Sequence, residues 1–309
     1  MASILVQYEG QKLRTRRLQG TLRSLAWDRH DQHLIVVGNS GRVLRIREEE
    51  QISPDPGTKH NLRGVSVNPS DGTALIVGNA GTVLLLDEEG RFNRITVPTF
   101  ENLRAVPWNS KGTMALIAGN NGALLKYTAG GIEPVDDGRA NLRDISWRPI
   151  SEEALVTSNC FAEEFIPSPN LFGYDAERNV VKSLNEGRAD LLGVDWSPTG
   201  ESAVVLGYDV VWHNGLIGIF DGTTLAPIQF NNKRVHPVAV AWEPSGDLAA
   251  IATATAQLGM GQGTVYFWDV KKLTPIYTND EFFFSDVAWP RKAKRLAAVA
   301  SSSTRTFNS

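Results

Sequence analysis

The fold is decided by a hexamer, Leu22-Arg23-Ser24-Leu25-Ala26-Trp27, which the chain repeats. Seven such hexamers occur along the sequence, and they begin at Leu22, Leu62, Leu103, Leu142, Leu191, Pro237 and Phe284. Consecutive starts are 39 to 49 residues apart, and six of the hexamers end in tryptophan in a chain that has only eight tryptophans. A regular period of this length marks a repeat architecture.

Each hexamer is followed by the same succession of segments. A turn such as Asn68-Pro69-Ser70-Asp71-Gly72 leads into an apolar strand, for example Ala74 to Val77, and then into a third strand, Thr82 to Asp87. A shorter, more polar fourth strand closes the unit, as in Asn93 to Val97. Four short antiparallel strands at this period are typical of β-propeller blades.

The sequence therefore predicts an all-β fold, a seven-bladed β-propeller of four-stranded antiparallel blades that forms a single domain over residues 1–309. A blade that is apolar on both faces needs a neighbour on each side, and a closed ring supplies these neighbours. We expect the tryptophan at the end of each hexamer to fill the space between blades.

The two ends of the chain are predicted to share the seventh blade. After the hexamer at Phe284 there is room for only one more strand, Arg295 to Ala300. The missing third and fourth strands match Ile4 to Gly10 and Lys12 to Leu18, near the N-terminus. Residues 1–18 are thus expected to complete the last blade and to leave no open seam in the ring.

The hexamer also departs from simple strand alternation. Its apolar residues occupy positions one, four and six, whereas strict alternation requires positions one, three and five. This pattern predicts a β-bulge near positions two and three, which would turn the side chain at position two toward the mouth of the central channel. In the first four units position two is an arginine, namely Arg23, Arg63, Arg104 and Arg143.

These arginines are candidate ligand-binding residues, because the planar guanidinium matches carboxylates and phosphates. A structural role, in which each arginine bridges to a neighbouring blade, is the alternative that the sequence leaves open. The residues three positions before the hexamers add positive charge to the same face through Arg139 and Arg188.

The loops of this top face, which join second to third strands and successive blades, differ among the units. They are short in the first three units and are predicted to be long in the next three, at Ser158 to Asn170, Gly207 to Gly215 and Ala254 to Gly263. Aromatic residues and methionine suit a protein contact, and those of the long loops include Phe161, Phe165, Trp212, His213 and Met260. The alternative is that these side chains plug the channel mouth.

The units resemble those of the WD-repeat and WD-like β-propeller superfamily over nearly the whole chain. The resemblance rests on the L-x-x-V-x-W inner strand, on turns such as Ser197-Pro198-Thr199-Gly200, and on third strands that end in an aromatic residue and aspartate. These endings are Tyr174-Asp175, Phe220-Asp221 and Trp268-Asp269. The resemblance implies that partners bind at the top face.

Composition excludes several classes of function. Lys and Arg total 31 against 34 Asp and Glu, and a net charge of −3 argues against nucleic acid or a membrane surface as a general partner.

No apolar run reaches the roughly 18 residues that a membrane span requires, and the segment after Met1 lacks the features of a signal peptide. The lone Cys160 suits a reducing compartment, so a cytoplasmic location is expected, and the oligomeric state stays open.

Catalytic and metal-binding patterns are not found in the sequence. The five histidines have no cysteine or carboxylate at zinc-ligand spacing. The Gly-Asn-x-Gly segments, such as Gly38 to Gly41, join two strands and are predicted to be hairpin turns rather than phosphate-binding loops, which open helices. The sequence thus predicts no catalytic residues, no metal and no cofactor.

The favoured interpretation is a non-enzymatic scaffold that binds a protein or peptide with acidic and hydrophobic residues through its top face. The alternative is an enzyme, such as a hydrolase or lyase, or a small-ligand or glycan binder that uses the channel mouth. The inner hexamers offer three carboxyl groups, Asp144, Asp195 and Asp286. Convergence of these groups with His236 on one point would favour an enzyme.

Overall fold

A computed structural model describes residues 1–135, 140–159, 167–233, 235–255, 262–292 and 295–302. Within these residues the chain forms seven sheets, each with four antiparallel strands. The innermost strand of each sheet contacts the innermost strands of the two neighbouring sheets, and the last contacts the first. The sheets are therefore the blades of a closed propeller, as the sequence predicts.

The strands are numbered along the chain, and the blades follow the order of the hexamers. The innermost strands are β3 (Leu22–Trp27), β7 (Leu62–Val67), β11 (Leu103–Ala105), β15 (Leu142–Trp147), β19 (Ala189–Trp196), β23 (Val235–Trp242) and β27 (Phe283–Ala288). The second strands are β4 (Leu34–Gly38), β8 (Ala74–Gly78), β12 (Ala115–Gly119), β16 (Glu153–Ser158), β20 (Ala203–Asp209), β24 (Ala249–Thr255) and β28 (Arg295–Ser301).

The outer half of each blade contains shorter or more exposed strands. The third strands are β5 (Arg42–Arg47), β9 (Thr82–Leu86), β13 (Leu124–Thr128), β17 (Ser168–Asp175), β21 (Asn214–Phe220), β25 (Gly263–Trp268) and β1 (Ala2–Glu9). The outermost strands are β6 (Glu50–Ile52), β10 (Phe92–Arg94), β14 (Gly131–Val135), β18 (Val180–Gly187), β22 (Leu225–Lys233), β26 (Leu273–Asn279) and β2 (Lys12–Gln19). Among the described residues no helix has the length and apolar character needed to cross a membrane.

The core lies between the blades rather than within them. Every residue of β4, β8 and β12 is buried, so each of these strands is covered on both faces. Seven apolar clusters are present in the described part of the chain, and each contains residues of two neighbouring blades. One of them packs Leu5 and Val299 of the seventh blade against Leu22 and Leu44 of the first.

The tryptophans contribute to the same interfaces. Trp27, Trp147 and Trp289 each donate their indole N–H to a backbone oxygen of the preceding blade, at 3.1 to 3.3 Å. The indole thus joins two neighbouring blades by a hydrogen bond as well as by packing.

The predicted closure of the ring by the N-terminal residues is confirmed. Strand β1 pairs with β28 from Ser3–Ser301 to Glu9–Arg295, and β2 pairs with the other edge of β1. The hydroxyl of Ser3 lies 2.7 Å from the hydroxyl of Ser301 and accepts the backbone N–H of Leu22 at 3.1 Å. This network ties the seventh blade to the first strand of the first blade.

The predicted bulge is confirmed in every blade. The pairing of each innermost strand with its neighbour shifts by one residue between hexamer positions one and three. The register of pairing thus skips position two, and its side chain does not follow the alternation of the strand.

Two strands end well before their predicted bounds. The third innermost strand was expected to run to Trp108, but β11 ends at Ala105, and the ladder resumes only as an isolated bridge between Trp108 and Ala115. Pro107 lies in the gap, where its lack of an N–H interrupts the ladder. Strand β10 is also shorter than the predicted segment and ends at Arg94.

The Gly-Asn-x-Gly segments form hairpin turns, as predicted. In the first blade, residues Asn39–Gly41 make a single 3-10 turn between β4 and β5, with φ of 58° at Ser40 and 70° at Gly41. A Cβ at position 41 would collide with the backbone oxygen of Thr58, so both space and conformation require glycine there. The backbone N–H of Ser40 donates to the side chain of Asn61 in the next blade at 2.9 Å.

We predict that deletion of residues 1–18 abolishes cooperative unfolding at the wild-type temperature, because the seventh blade loses two strands and two interfaces. Circular dichroism during heating measures this change. A truncated protein with an unchanged thermal midpoint would contradict the closure.

A pair of point variants tests the same interface without removing any strand. Leu5 is 1% exposed, so Leu5→Ala should lower the free energy of unfolding by about 2–5 kcal/mol. Leu13 on the neighbouring strand is 41% exposed, so Leu13→Ala should change it by less than about 0.5 kcal/mol. Chemical denaturation of both variants gives the comparison, and equal effects would refute the packing described for β1.

Candidate functional site

The central channel contains a cavity of about 660 Å³, lined mainly by the innermost strands. Its wall includes the position-two residue of all seven hexamers, in order Arg23, Arg63, Arg104, Arg143, Leu192, Val238 and Ser285. The bulge thus directs this position toward the channel throughout the ring, as predicted. One half of the wall is cationic and the other half carries apolar or small side chains.

The four arginines, Arg23, Arg63, Arg104 and Arg143, are called the arginine mouth below. Each donates its Nε–H to the side-chain oxygen of the asparagine 16 residues later, at 2.5 to 3.1 Å. These acceptors are Asn39, Asn79, Asn120 and Asn159. Because each asparagine directly follows the second strand of its blade, the bond holds the guanidinium at the top face.

Burial and the charges of neighbouring arginines both disfavour the charged form of Arg104. Burial, together with the nearby charges of Arg143, Arg63 and Arg23, lowers the pKa of Arg104 to about 9. Burial also lowers the pKa of Arg143, although the nearby Asp190 and Tyr208 act in the opposite direction. At neutral pH these side chains are still cationic, so the cluster carries an unfavourable free energy that a bound anion would reduce.

A polar and aromatic cluster stands beside the arginine mouth, on the fifth and sixth blades. The hydroxyl of Tyr208 donates to the buried carboxylate of Asp190 at 2.9 Å. The ring of Tyr208 stacks on the ring of His236, with centroids 4.2 Å apart and planes 9° apart. His213 lies nearly parallel to both rings, about 6 Å away. Tyr208 also lines the channel cavity, so this cluster fixes part of its wall.

This cluster explains why one predicted loop is wrong. The segment from Gly207 to Gly215 was expected to be a long loop, but β20 extends to Asp209 and β21 begins at Asn214. Only four residues connect the two strands. Stacking of Tyr208 on His236 holds the extended hairpin against the sixth blade.

The other predicted site residues divide into two groups. Arg188 is exposed, and its carbonyl accepts the N–H of Val210 at the base of the same hairpin. Trp212 is 74% exposed and His213 is exposed at the tip of this hairpin, outside the channel. The remaining candidates lie outside the described residues, and they are Arg139, Phe161, Phe165 and Met260. Cys160 lies outside them as well.

The three aspartates of the innermost strands do not converge with His236. Asp144, Asp195 and Asp286 each accept a backbone N–H from the innermost strand of the following blade, at 2.8 to 3.0 Å. His236 instead lies beside Tyr208. The aspartates therefore join blades, and the arrangement that would favour an enzyme is not formed by these residues.

Burial raises the pKa of Asp144 to about 7 and those of Asp195 and Asp286 to about 6, even though backbone N–H donors act in the opposite direction. The ordinary value is 3.8. The folded state thus binds these protons more tightly than the unfolded state. Its free energy of unfolding should fall as the pH rises from about 4 through 6 or 7.

We predict that Asp195→Asn removes part of this pH dependence, because the amide oxygen can still accept the N–H of Trp242 but does not titrate. Relative to the variant, the wild type should lose roughly 1 kcal/mol of stability between pH 5 and pH 8. Urea denaturation at both pH values measures the difference. A difference independent of pH would contradict the raised pKa.

Comparisons with known proteins support the fold and no more. No protein-family model matches the chain, and no curated protein matches it significantly. A solved structure similar to this chain is hydrazine synthase of Kuenenia stuttgartiensis, with a TM-score of 0.71 and 13% identity over 91% of this chain and 95% of that chain. The fold is a seven-bladed β-propeller. At this identity the likeness concerns the fold alone, and membership of the WD-repeat superfamily stays a prediction.

The described residues contain no group of three or more histidine, cysteine or carboxylate side chains arranged to hold a metal ion. The asparagines that position the arginines were not singled out from the sequence, although the constant spacing of 16 residues could have indicated them. The contact between Tyr208 and His236 had no such signal, because the two residues belong to different blades.

Proposed function

We propose that the protein is a binding module that takes up a segment of a partner protein at its top face, with an anionic group of the partner held in the arginine mouth. The observation that carries this proposal is the convergence of four arginines on one cavity, each oriented by an asparagine. Orientation before binding reduces the entropy that an arginine loses when it meets an anion.

The surroundings of the mouth support a protein partner. Trp212 is exposed on the top face of the fifth blade beside His213, and the carbonyl of Arg188 is hydrogen-bonded to Val210 of the same hairpin. Tryptophan and arginine are enriched among the residues that contribute most to protein interfaces. A partner segment with acidic and hydrophobic residues would meet the arginine mouth and this aromatic rim together.

A small-ligand binder is the second candidate, and the cavity itself favours it. A volume of about 660 Å³ is within the range of small-molecule sites. Catalysis in this cavity has weaker support, because the three aspartates that line it already accept hydrogen bonds from neighbouring blades.

The proposal predicts that the triple variant Arg63→Glu, Arg104→Glu and Arg143→Glu loses the partner. Wild-type protein and variant are used to capture proteins from a lysate of the native host. The dominant captured protein is then purified, and its affinity is measured by calorimetry. Three charge reversals should weaken binding roughly 100-fold or more, since each 1.4 kcal/mol is a factor of ten.

A matched control reverses three exposed arginines on outer strands, Arg14, Arg47 and Arg94, and changes the net charge equally. This control should bind like the wild type. Equal loss in both triple variants would show only a general charge effect. Unchanged binding in the first variant would remove the arginine mouth from the proposal, and a collapse of its thermal midpoint would favour a structural role.

A further inference from the structure

The arrangement of the arginine mouth bears on which anion would fit it. Arg104 and Arg143 both line the cavity, and each already donates its Nε–H to an asparagine, so an incoming anion would accept hydrogen bonds from their terminal NH2 groups. A carboxylate has two acceptor oxygens in one plane and satisfies one guanidinium well. A phosphate monoester has three terminal oxygens in a tetrahedral arrangement and can accept from several guanidinium groups that surround it.

The charge of the arginine mouth also favours a phosphate over a carboxylate. Burial lowers the pKa of Arg104, and the charges of three nearby arginines lower it further. One negative charge would offset only part of this repulsion. A phosphate monoester carries a charge of about −1.5 to −2 at pH 7 and would offset more of it.

The depth at which an anion can bind is limited by the aspartates. Asp144 and Asp286 follow position two by one residue along their strands, and Asp195 follows it by three. All three line the same cavity. An anion that moved further down the channel would approach these carboxyl groups, so the favourable position is at the level of the arginine mouth.

In the opposite half of the wall, position two is leucine, valine or serine rather than arginine. Leu192 and Val238 occupy position two in the fifth and sixth blades, and Phe283 and Tyr208 line the cavity on the same side. The Tyr208 ring is held by Asp190 and by stacking on His236. A bound phosphate would therefore have a fixed apolar and aromatic surface beside it, which suits an apolar group attached through the ester oxygen.

We propose that the channel mouth is a binding site for a phosphate monoester that carries an apolar or aromatic substituent, with the phosphate on Arg104 and Arg143 and the substituent against Leu192, Val238 and Tyr208. This site adds a class of ligand to the proposed function. If the monoester is a phosphorylated side chain of the partner, the inference rests on that proposed function. A free organic phosphate offers the same chemistry.

The test is calorimetric titration of the full chain at pH 7.5 and low salt with three probes. Phenyl phosphate has both features of the proposed ligand, methyl phosphate lacks the aromatic group, and phthalate is an aromatic dianion without phosphate. Phenyl phosphate should bind at least tenfold more tightly than either of the other two. Equal affinity for phthalate and phenyl phosphate would overturn the preference for phosphate, and equal affinity for methyl phosphate would overturn the apolar wall.

Substitutions in the cavity wall show which residues bind phenyl phosphate. The double variant Arg104→Gln and Arg143→Gln should weaken phenyl phosphate at least tenfold, whereas the control pair Arg14→Gln and Arg47→Gln should stay within about twofold of the wild type. Leu192→Ser should weaken phenyl phosphate severalfold and leave methyl phosphate unchanged. Arg104→Lys keeps the charge, so it serves as the second variant if the double variant unfolds, and it should lose affinity because lysine lacks the planar fork. Binding that none of these changes alters would overturn the site.

A last probe separates the two sources of the phosphate. Phosphotyrosine capped at both ends should bind more tightly than phenyl phosphate if the natural ligand is part of a polypeptide, and equally if it is a free organic phosphate; both results support the site. Loss of phosphate binding with retention of arginine-dependent partner capture would overturn this inference alone. Phosphate binding without arginine-dependent capture would overturn the protein-docking role and leave the phosphate site in place.

Discussion

The structure depends on the burial of every blade between two others. Strands such as β4 and β8 are buried along their whole length, and each apolar cluster in the described residues is shared by two blades. A blade removed from the ring would expose both of its faces to water, at a cost that scales with the apolar area. Pairing of β1 with β28 completes the seventh blade, and Leu5 and Val299 of that blade then pack against the first blade to form the seventh interface.

The candidate site follows from one irregularity that the ring repeats. The bulge in each innermost strand frees the side chain at position two from the ladder and turns it into the channel. Four blades place arginine there and fix it with an asparagine from the adjacent turn, whereas the other three place leucine, valine and serine. A uniform scaffold thus carries an asymmetric site, and the asymmetry is set by side chains at equivalent positions rather than by a change in the backbone.

Much of this could be predicted from the sequence because it is local and repeated. The spacing of the hexamers gave the seven blades, and the misplaced apolar residue at position four of each hexamer indicated the bulge that aims Arg63 and Arg104. Contacts between blades were harder to predict, since they depend on register and on distant residues. The stacking of Tyr208 on His236 and the hydrogen bonds of Asp144 and Asp195 to the following blade belong to this class. Pro107 shows the reverse case, in which one residue without an N–H ends a strand that the repeat predicts.

The arginine half of the channel mouth and the side with Leu192, Val238 and Tyr208 are proposed to bind one ligand together. Anomalous diffraction from crystals soaked with 4-bromophenyl phosphate can show this, because the bromine marks the end of the ligand opposite the phosphate. We expect phosphate density on Arg104 and Arg143 and a bromine peak on the side of Leu192, Val238 and Tyr208. A bromine peak on the arginine side, or no ligand in the channel at a concentration where binding is measured in solution, would contradict it.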